Sequence, residues 1–271
     1  MRESIRRPPR TANVGGGGGP SHGGPWHGGV DGERYARDMA STAQLFDPER
    51  VPDALRPLLA PERPWDVLGA LDVFLADAEA GDAQADGGPD AAPDDRLSVH
   101  PTAIVEGWVR LGPRARVGPF AWIQGPAWIG ADAEIGHAAI VRGGCVIADG
   151  AKVGHASEVK HALLLPGAKA PHFNYVGDSV LGSGTNLGAG VKIANLKNDG
   201  SEVVSAGRPT GRRKFGAALG DDVHIGCNAV LAPGTIVGAR TAVYAGAMLR
   251  GEVEADAIVK HRTVTDVVKR R

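Results

Sequence analysis

The sequence predicts an all-β fold, a left-handed parallel β-helix of hexapeptide repeats, with a short N-terminal helical segment and a flexible N-terminal tail. Three observations predict it. With 40 Gly and 19 Pro among 271 residues and aromatics at 5%, the composition argues against an ordinary helical or Rossmann-type core. From Val99 an aliphatic residue recurs every six positions without a miss: Val99, Val105, Leu111, Val117, Ile123, Ile129, Ile135, Val141, Ile147, Val153, Val159 and Leu165. Four positions after most of these stands a small residue: Ala103, Ala115, Ala121, Ala127, Ala133, Ala139, Cys145, Ala151 or Ser157. Six residues make one short strand and a corner, aliphatic side chain inward and small residue at the bend, so three units close a triangular coil of eighteen. Stacked coils pair strand on strand about 4.8 Å apart, which leaves unpaired backbone only at the two ends of the stack. This pattern is an exception to the usual right-handed crossover. After a disturbed region the register returns with Leu219, Ile225, Leu231, Val237, Val243 and Leu249.

The remaining elements follow in chain order. Residues 1–44 include "VGGGGGPSHGGPWHGG", whose glycine entropy no burial offsets, and are expected to be a flexible tail. They lack the flanking strand and helix and the Lys-Ser/Thr pair of a phosphate loop. Residues 45–80 form the helical segment, in which Val67, Leu68, Leu71, Phe74, Leu75 and Ala78 recur at three-to-four spacing. This helix is expected to cap the open N-terminal end of the stack and hide its strand edges. Residues 81–96 read as an acidic linker, 97–262 as the β-helix, and 263–271 as a basic tail. A net charge of -1 with pI near 6.8 gives no global field for nucleic acid or an anionic membrane. "MRESIRRPPR" leads into no apolar run, no segment reaches ~18 apolar residues, and two Cys make neither a disulfide framework nor a zinc cluster. The expectation is a soluble, cytoplasmic protein.

Residues eighteen apart should lie one above another. Arg142 and Lys160 then stack as two cations, with repulsion of about 3 kcal/mol at ~5 Å and an effective dielectric near 20, which a bound anion would relieve; Glu158 is the competing source of screening. His137 and His155 also stack, but zinc needs three or four ligands and the next position is Phe173, so no metal is expected. The spacing of His137, His155 and His161 does not match the triple-histidine site of γ-class carbonic anhydrases. Cys145 falls inward; Cys227 points outward without a base placed beside it. In "GAKAPHFNYVGDSVLGSGTNLGAG" the hexad after Leu165 would start at Pro171, then Val176 and Leu181 arrive at spacings of five. The repeat is pinched where His172, Asn174 and Tyr175 are displayed, and imidazole near neutral pKa suits a general base.

The stretch "RGGCVIADGAKVGHASEVKHALLLPGAKAPHFNYVGDSVLGSGTNLGAGVKIANLK", continued by "LGDDVHIGCNAVLAPGTIVG" to Arg262, resembles a known acetyltransferase domain. It is the C-terminal domain of the bifunctional bacterial N-acetylglucosamine-1-phosphate uridyltransferase/glucosamine-1-phosphate acetyltransferases. The resemblance implies His172 as the catalytic base for a glucosamine amine, Arg142 and Lys160 on the phosphate, and Tyr175, Asn186 and Asn195 on the sugar. It implies acetyl-CoA as co-substrate, contacted at Ala189, Cys227 (usually serine), Ala245 and Arg262, no metal, and a homotrimer with sites between subunits. Two departures stand out. Ser201 replaces the family lysine, with Lys197 or Lys214 as possible substitutes, and the long loop "NLKNDGSEVVSAGRPTGRRKFGA" more closely resembles archaeal-type bifunctional sugar-1-phosphate nucleotidylyltransferases. No nucleotidyltransferase-like "LAAGxGTR" loop is present, so uridyltransferase activity is not expected. The rival readings are a non-catalytic module that binds a sugar nucleotide or scaffolds a separate nucleotidyltransferase, and an acyltransferase for another amino sugar.

Overall fold

The computed structural model describes residues 40–84 and 98–262. The basic C-terminal tail, nearly all of the flexible tail and most of the acidic linker lie outside them. Residues 98–262 form a parallel β-helix of triangular coils, as the hexapeptide period predicts. Nine short strands from Ser98–Val99 to Ile258–Val259 stack as the first wall. The second wall runs from Ile104–Glu106 to Met248–Leu249, and the third from Val109–Leu111 to Glu252–Val253. Ile123, Ile129, Ile135, Val141, Ile147 and Val153 all point inward and are fully buried, with the small residues Ala121, Ala133, Ala139 and Ala151 beside them. In the first described coil Val99 and Val105 stay about two-fifths exposed, because no coil lies above them among the described residues.

One detail of the repeat differs from expectation. The slip begins two strands earlier than the spacing suggests: Leu164, not Leu165, is the register partner of Ile147 and Leu181 and points into the core. Leu165 faces outward, against the N-terminal helix. Coils are therefore seventeen residues long where Lys152 pairs Lys169 and Glu158 pairs Tyr175, because a corner residue is dropped twice at one place. There Glu158–Leu164 and Tyr175–Leu181 run unbroken from second wall to third, turning at His161 (φ 45°) and Asp178 (φ 46°). Left-handed backbone is unusual for a side chain but most accessible to Asn, Asp and His. An insertion falls where the sequence has its long loop: the coil from Asn186 to its partner His224 carries a hairpin, Val204–Ser205 with Arg208–Pro209.

The N-terminal segment corrects two expectations. Helical structure begins at Thr42–Leu45, inside the stretch expected as tail, and the main helix runs Val67–Gln84, four residues into the expected linker. It also does not cap the end of the stack. Leu68, Leu71 and Leu75, at helical spacing, lie flat along the outer face of the third wall against Val146, Leu163, Val180, Ala218 and Ile236. The strap spans nearly the whole stack: Ala40 N donates to Glu252 Oε1 (2.7 Å) and Asp47 N to Asp221 Oδ2 (2.8 Å). At the other end Trp108 Nε1 donates to Asp82 Oδ2 (3.1 Å). The reason is the outward column itself, which is aliphatic through five coils and costly to leave wet.

Candidate active site

The seventeen-residue coil rearranges the expected stack. His172, not Phe173, is the register partner of His155, so His137, His155 and His172 follow one another at a single corner. Phe173 instead lays its ring edge on His155, with centroids 5.1 Å apart, while His137 and His155 stack at 5.0 Å. Among the described residues no group of three or more His, Cys, Asp or Glu is placed to hold a metal ion. Continuing the same registers, Lys169 to Asn186, Asn186 to His224 and His224 to Ala242, carries the His172 column through Ala189, Cys227 and Ala245. The expected base and three of the four expected thioester contacts thus share one corner, and Arg262 lies exposed at the end of the last described coil.

His172 is exposed, but its backbone is pinned. Asn174, buried in the inward slot below Ser157, accepts from His172 N (2.9 Å) and donates to Gly188 O (2.8 Å), while its own N–H donates to Ser157 Oγ (3.1 Å). The chain then enters the second wall at Tyr175, three residues on. Tyr175 and Asn195 close over Gly177, where a Cβ would lie 2.6 Å from Asn195 Nδ2 and 2.9 Å from the Tyr175 hydroxyl, so a side chain there would push both away. Burial, with the Glu158 and Asp178 carboxylates, raises the Tyr175 hydroxyl above its usual range.

Arg142 and Lys160 do stack in register on the second wall, but each already holds a carboxylate. Arg142 Nη1 is 3.1 Å from Glu158 Oε1, and Lys160 Nζ is 3.7 Å from Asp178 Oδ2. Asp178, which the sequence reading missed, is the hub. Its side chain is 6% exposed, His161 Nδ1 donates to it at 2.8 Å, and Asn195 Nδ2 donates to its other oxygen. Burial alone would push its pKa up; the bonds from His161 and Asn195 and the charge of Lys160 outweigh burial and hold it below the usual carboxylate range. The signal in the sequence was an acid at the place where the period drops to five.

Arg142, Lys160, Tyr175 and Asn195 therefore meet at one corner. Asn186 does not join them: it lies on the outer face of the first wall, between Lys169 and His224. Of the two substitutes for Ser201, Lys197 turns back on its own loop, donating to Ser201 Oγ at 2.6 Å. Lys214 lines a cavity of about 530 Å³ with Asp178, Leu196, Arg212 and Arg213, beside the hub.

The fold and this corner define a hexapeptide-repeat β-helix protein, homologous over about a hundred residues to bifunctional sugar-phosphate enzymes. It is 44% identical over 100 residues to the bifunctional sugar-1-phosphate nucleotidylyltransferase/acetyltransferase of Sulfurisphaera tokodaii, a match covering 35% of this chain and 25% of that protein. It is 33% identical over 116 residues to the bifunctional protein GlmU of Methanococcus vannielii, covering 42% and 28%. The chain thus spans about a quarter of the length of these relatives. The solved UDP-N-acetylglucosamine acyltransferase from Campylobacter jejuni aligns with a TM-score of 0.46 at 15% identity, over 59% of this chain and 70% of that one. No protein-family model matches the chain. Among the described residues no helix is long and apolar enough to cross a membrane.

Proposed function

We propose that the protein is an acyltransferase that moves the acetyl group of acetyl-CoA onto the amine of an amino-sugar 1-phosphate, with glucosamine 1-phosphate as the acceptor. The observation that carries this reading is the column His172–Ala189–Cys227–Ala245, which sets the His172 imidazole at the head of a strip of small residues leading away from the Tyr175–Lys160–Asn195 corner. His172 takes the proton as the amine attacks the thioester carbonyl; the C–N bond forms, the C–S bond breaks, and the CoA sulfur takes that proton from His172 and leaves as the free thiol. A backbone amide near Ala189 stabilises the oxyanion. Tyr175 and Asn195 hold the sugar, while Arg142 and Lys160 hold its phosphate and Arg262 the nucleotide end of CoA. Asn186, on the first wall, serves the site of a neighbouring copy in a homotrimer, in which adjacent walls enclose the substrates.

The pairing of Arg142 with Glu158 and Lys160 with Asp178 favours one refinement: Lys214 supplies the phosphate charge that Ser201 cannot. The test is release of free thiol from acetyl-CoA with a panel of amino-sugar phosphates and nucleotide-linked amino sugars. Release with glucosamine 1-phosphate, lost in His172→Ala, supports the reading. Release with another acceptor alone changes the substrate, and release with none leaves a non-catalytic module.

A further inference from the structure

His161 stands one residue from Lys160, and both its ring nitrogens are engaged by carboxylates from different parts of the chain. Nδ1 lies 2.8 Å from Asp178 Oδ1 on the next coil, and Nε2 lies 2.9 Å from Asp72 Oδ1 on the strap helix. A carboxylate only accepts, so both nitrogens donate and the ring is an imidazolium. The Asp178 bond, with burial opposing it and Asp72 adding to it, raises the His161 pKa. His161 is only 19% exposed, and the groups facing it are Asp72, Asp178 and, through Asp178, Lys160; Cys145 and Gly144 lie behind it. Two acids and two cations balance within this cluster. The second oxygen of Asp178 holds Lys160 and Asn195.

We propose that Asp72 on the strap helix is a positioning residue for the acceptor corner, acting through His161 and Asp178 to fix the Lys160 ammonium and the Asn195 amide. With Asp72 in place the imidazolium holds Asp178 by one oxygen and leaves the other to order two sugar-site groups. Without the negative charge of Asp72 the ring becomes neutral more readily, and Asp178 turns to Lys160 as its only cation. The strap thus does more than cover an apolar wall. It completes the polar frame of a site made by another part of the chain, as outer partners orient directly bonded groups elsewhere.

The kinetic half of this inference rests on the proposed acetyl transfer; the structural half does not. Asp72 is 58% exposed, so Asp72→Asn should fold. In the full chain, NMR of Asp72→Asn should show the His161 ring titrating at lower pH and the Asn195 side-chain amide displaced, with melting little changed. Acceptor KM should rise roughly five- to tenfold with kcat within about twofold, the alkaline limb of the pH profile should move to lower pH, and Asp72→Glu should restore part of both. Unchanged His161 titration and Asn195 signals in Asp72→Asn would overturn the inference even if the wild type is active. Changed signals in a chain without transferase activity would sink the proposed reaction and keep the coupling. Changed signals with an unaltered acceptor KM would reduce Asp72 to a structural contact.

Discussion

His172 lies one coil below His155 across seventeen residues, with the two as direct register partners. That single dropped residue puts the candidate base at the head of the Ala189–Cys227–Ala245 column. His172→Ala is therefore expected to lower thiol release from acetyl-CoA by roughly a hundredfold or more, the usual range for a lost general base. Because the side chain is exposed, the melting temperature should stay within a degree or two of wild type. Equal activity in the variant would remove His172 from the mechanism.

The strap should melt with the stack. Leu71 is fully buried between the helix and the third wall, so Leu71→Ala is predicted to cost about 2–5 kcal/mol in urea unfolding. A change under about 0.5 kcal/mol, the size of an ordinary surface effect, would mean that the helix does not stay docked on that wall.

The His161–Asp178 cluster makes stability depend on pH in two directions. His161 has a raised folded pKa, so its contribution is complete below the unfolded value of about 6.5 and is lost as pH rises through the folded value. Asp178 has a lowered folded pKa, so its contribution is present above about 3.9 and is lost as pH falls through the folded value. Urea midpoints should thus be highest in mildly acidic buffer and fall on the alkaline side, and His161→Gln should flatten that alkaline fall. An alkaline fall identical in His161→Gln would place its origin elsewhere.

The two thiols should react very differently. Burial pushes Cys145 up to about 12, whereas Cys227 is exposed. A thiol reagent should modify one cysteine per native chain, Cys227 by peptide mapping, and acetyl-CoA should slow that reaction if the strip beside it holds the thioester. Equal labelling rates with and without acetyl-CoA would move the thioester site off this corner.

Lys214→Gln should raise the acceptor KM about tenfold or less while leaving transfer to unphosphorylated glucosamine unaltered, since only the phosphate loses a partner. Lys197→Gln, whose ammonium is turned onto Ser201, should change neither. The reverse ranking would assign the phosphate to Lys197 rather than to the cavity beside Asp178.

Much of the candidate site was legible because stacking turns spacing into contact. Arg142 and Lys160 fell in register as the period requires. Asp178 and His161 were not legible as partners, because their meeting depends on a corner that loses a residue twice, and an eighteen-residue rule counts past it. Asp72 was further out of reach. It belongs to a helix whose apolar face is plain in the sequence but whose docking surface is not.

The sequence by itself determined the coil: six-residue periodicity fixes which side chains enter the core, and parallel pairing then follows from backbone hydrogen bonding alone. Only the tertiary structure decided where the helix lies, how the cations are paired, and that His172 rather than Phe173 follows His155. Burying the aliphatic outer column of the third wall favours a strap along the stack over a cap on its end, and neutralising buried charge is a matter of which groups meet in space, which no local period encodes.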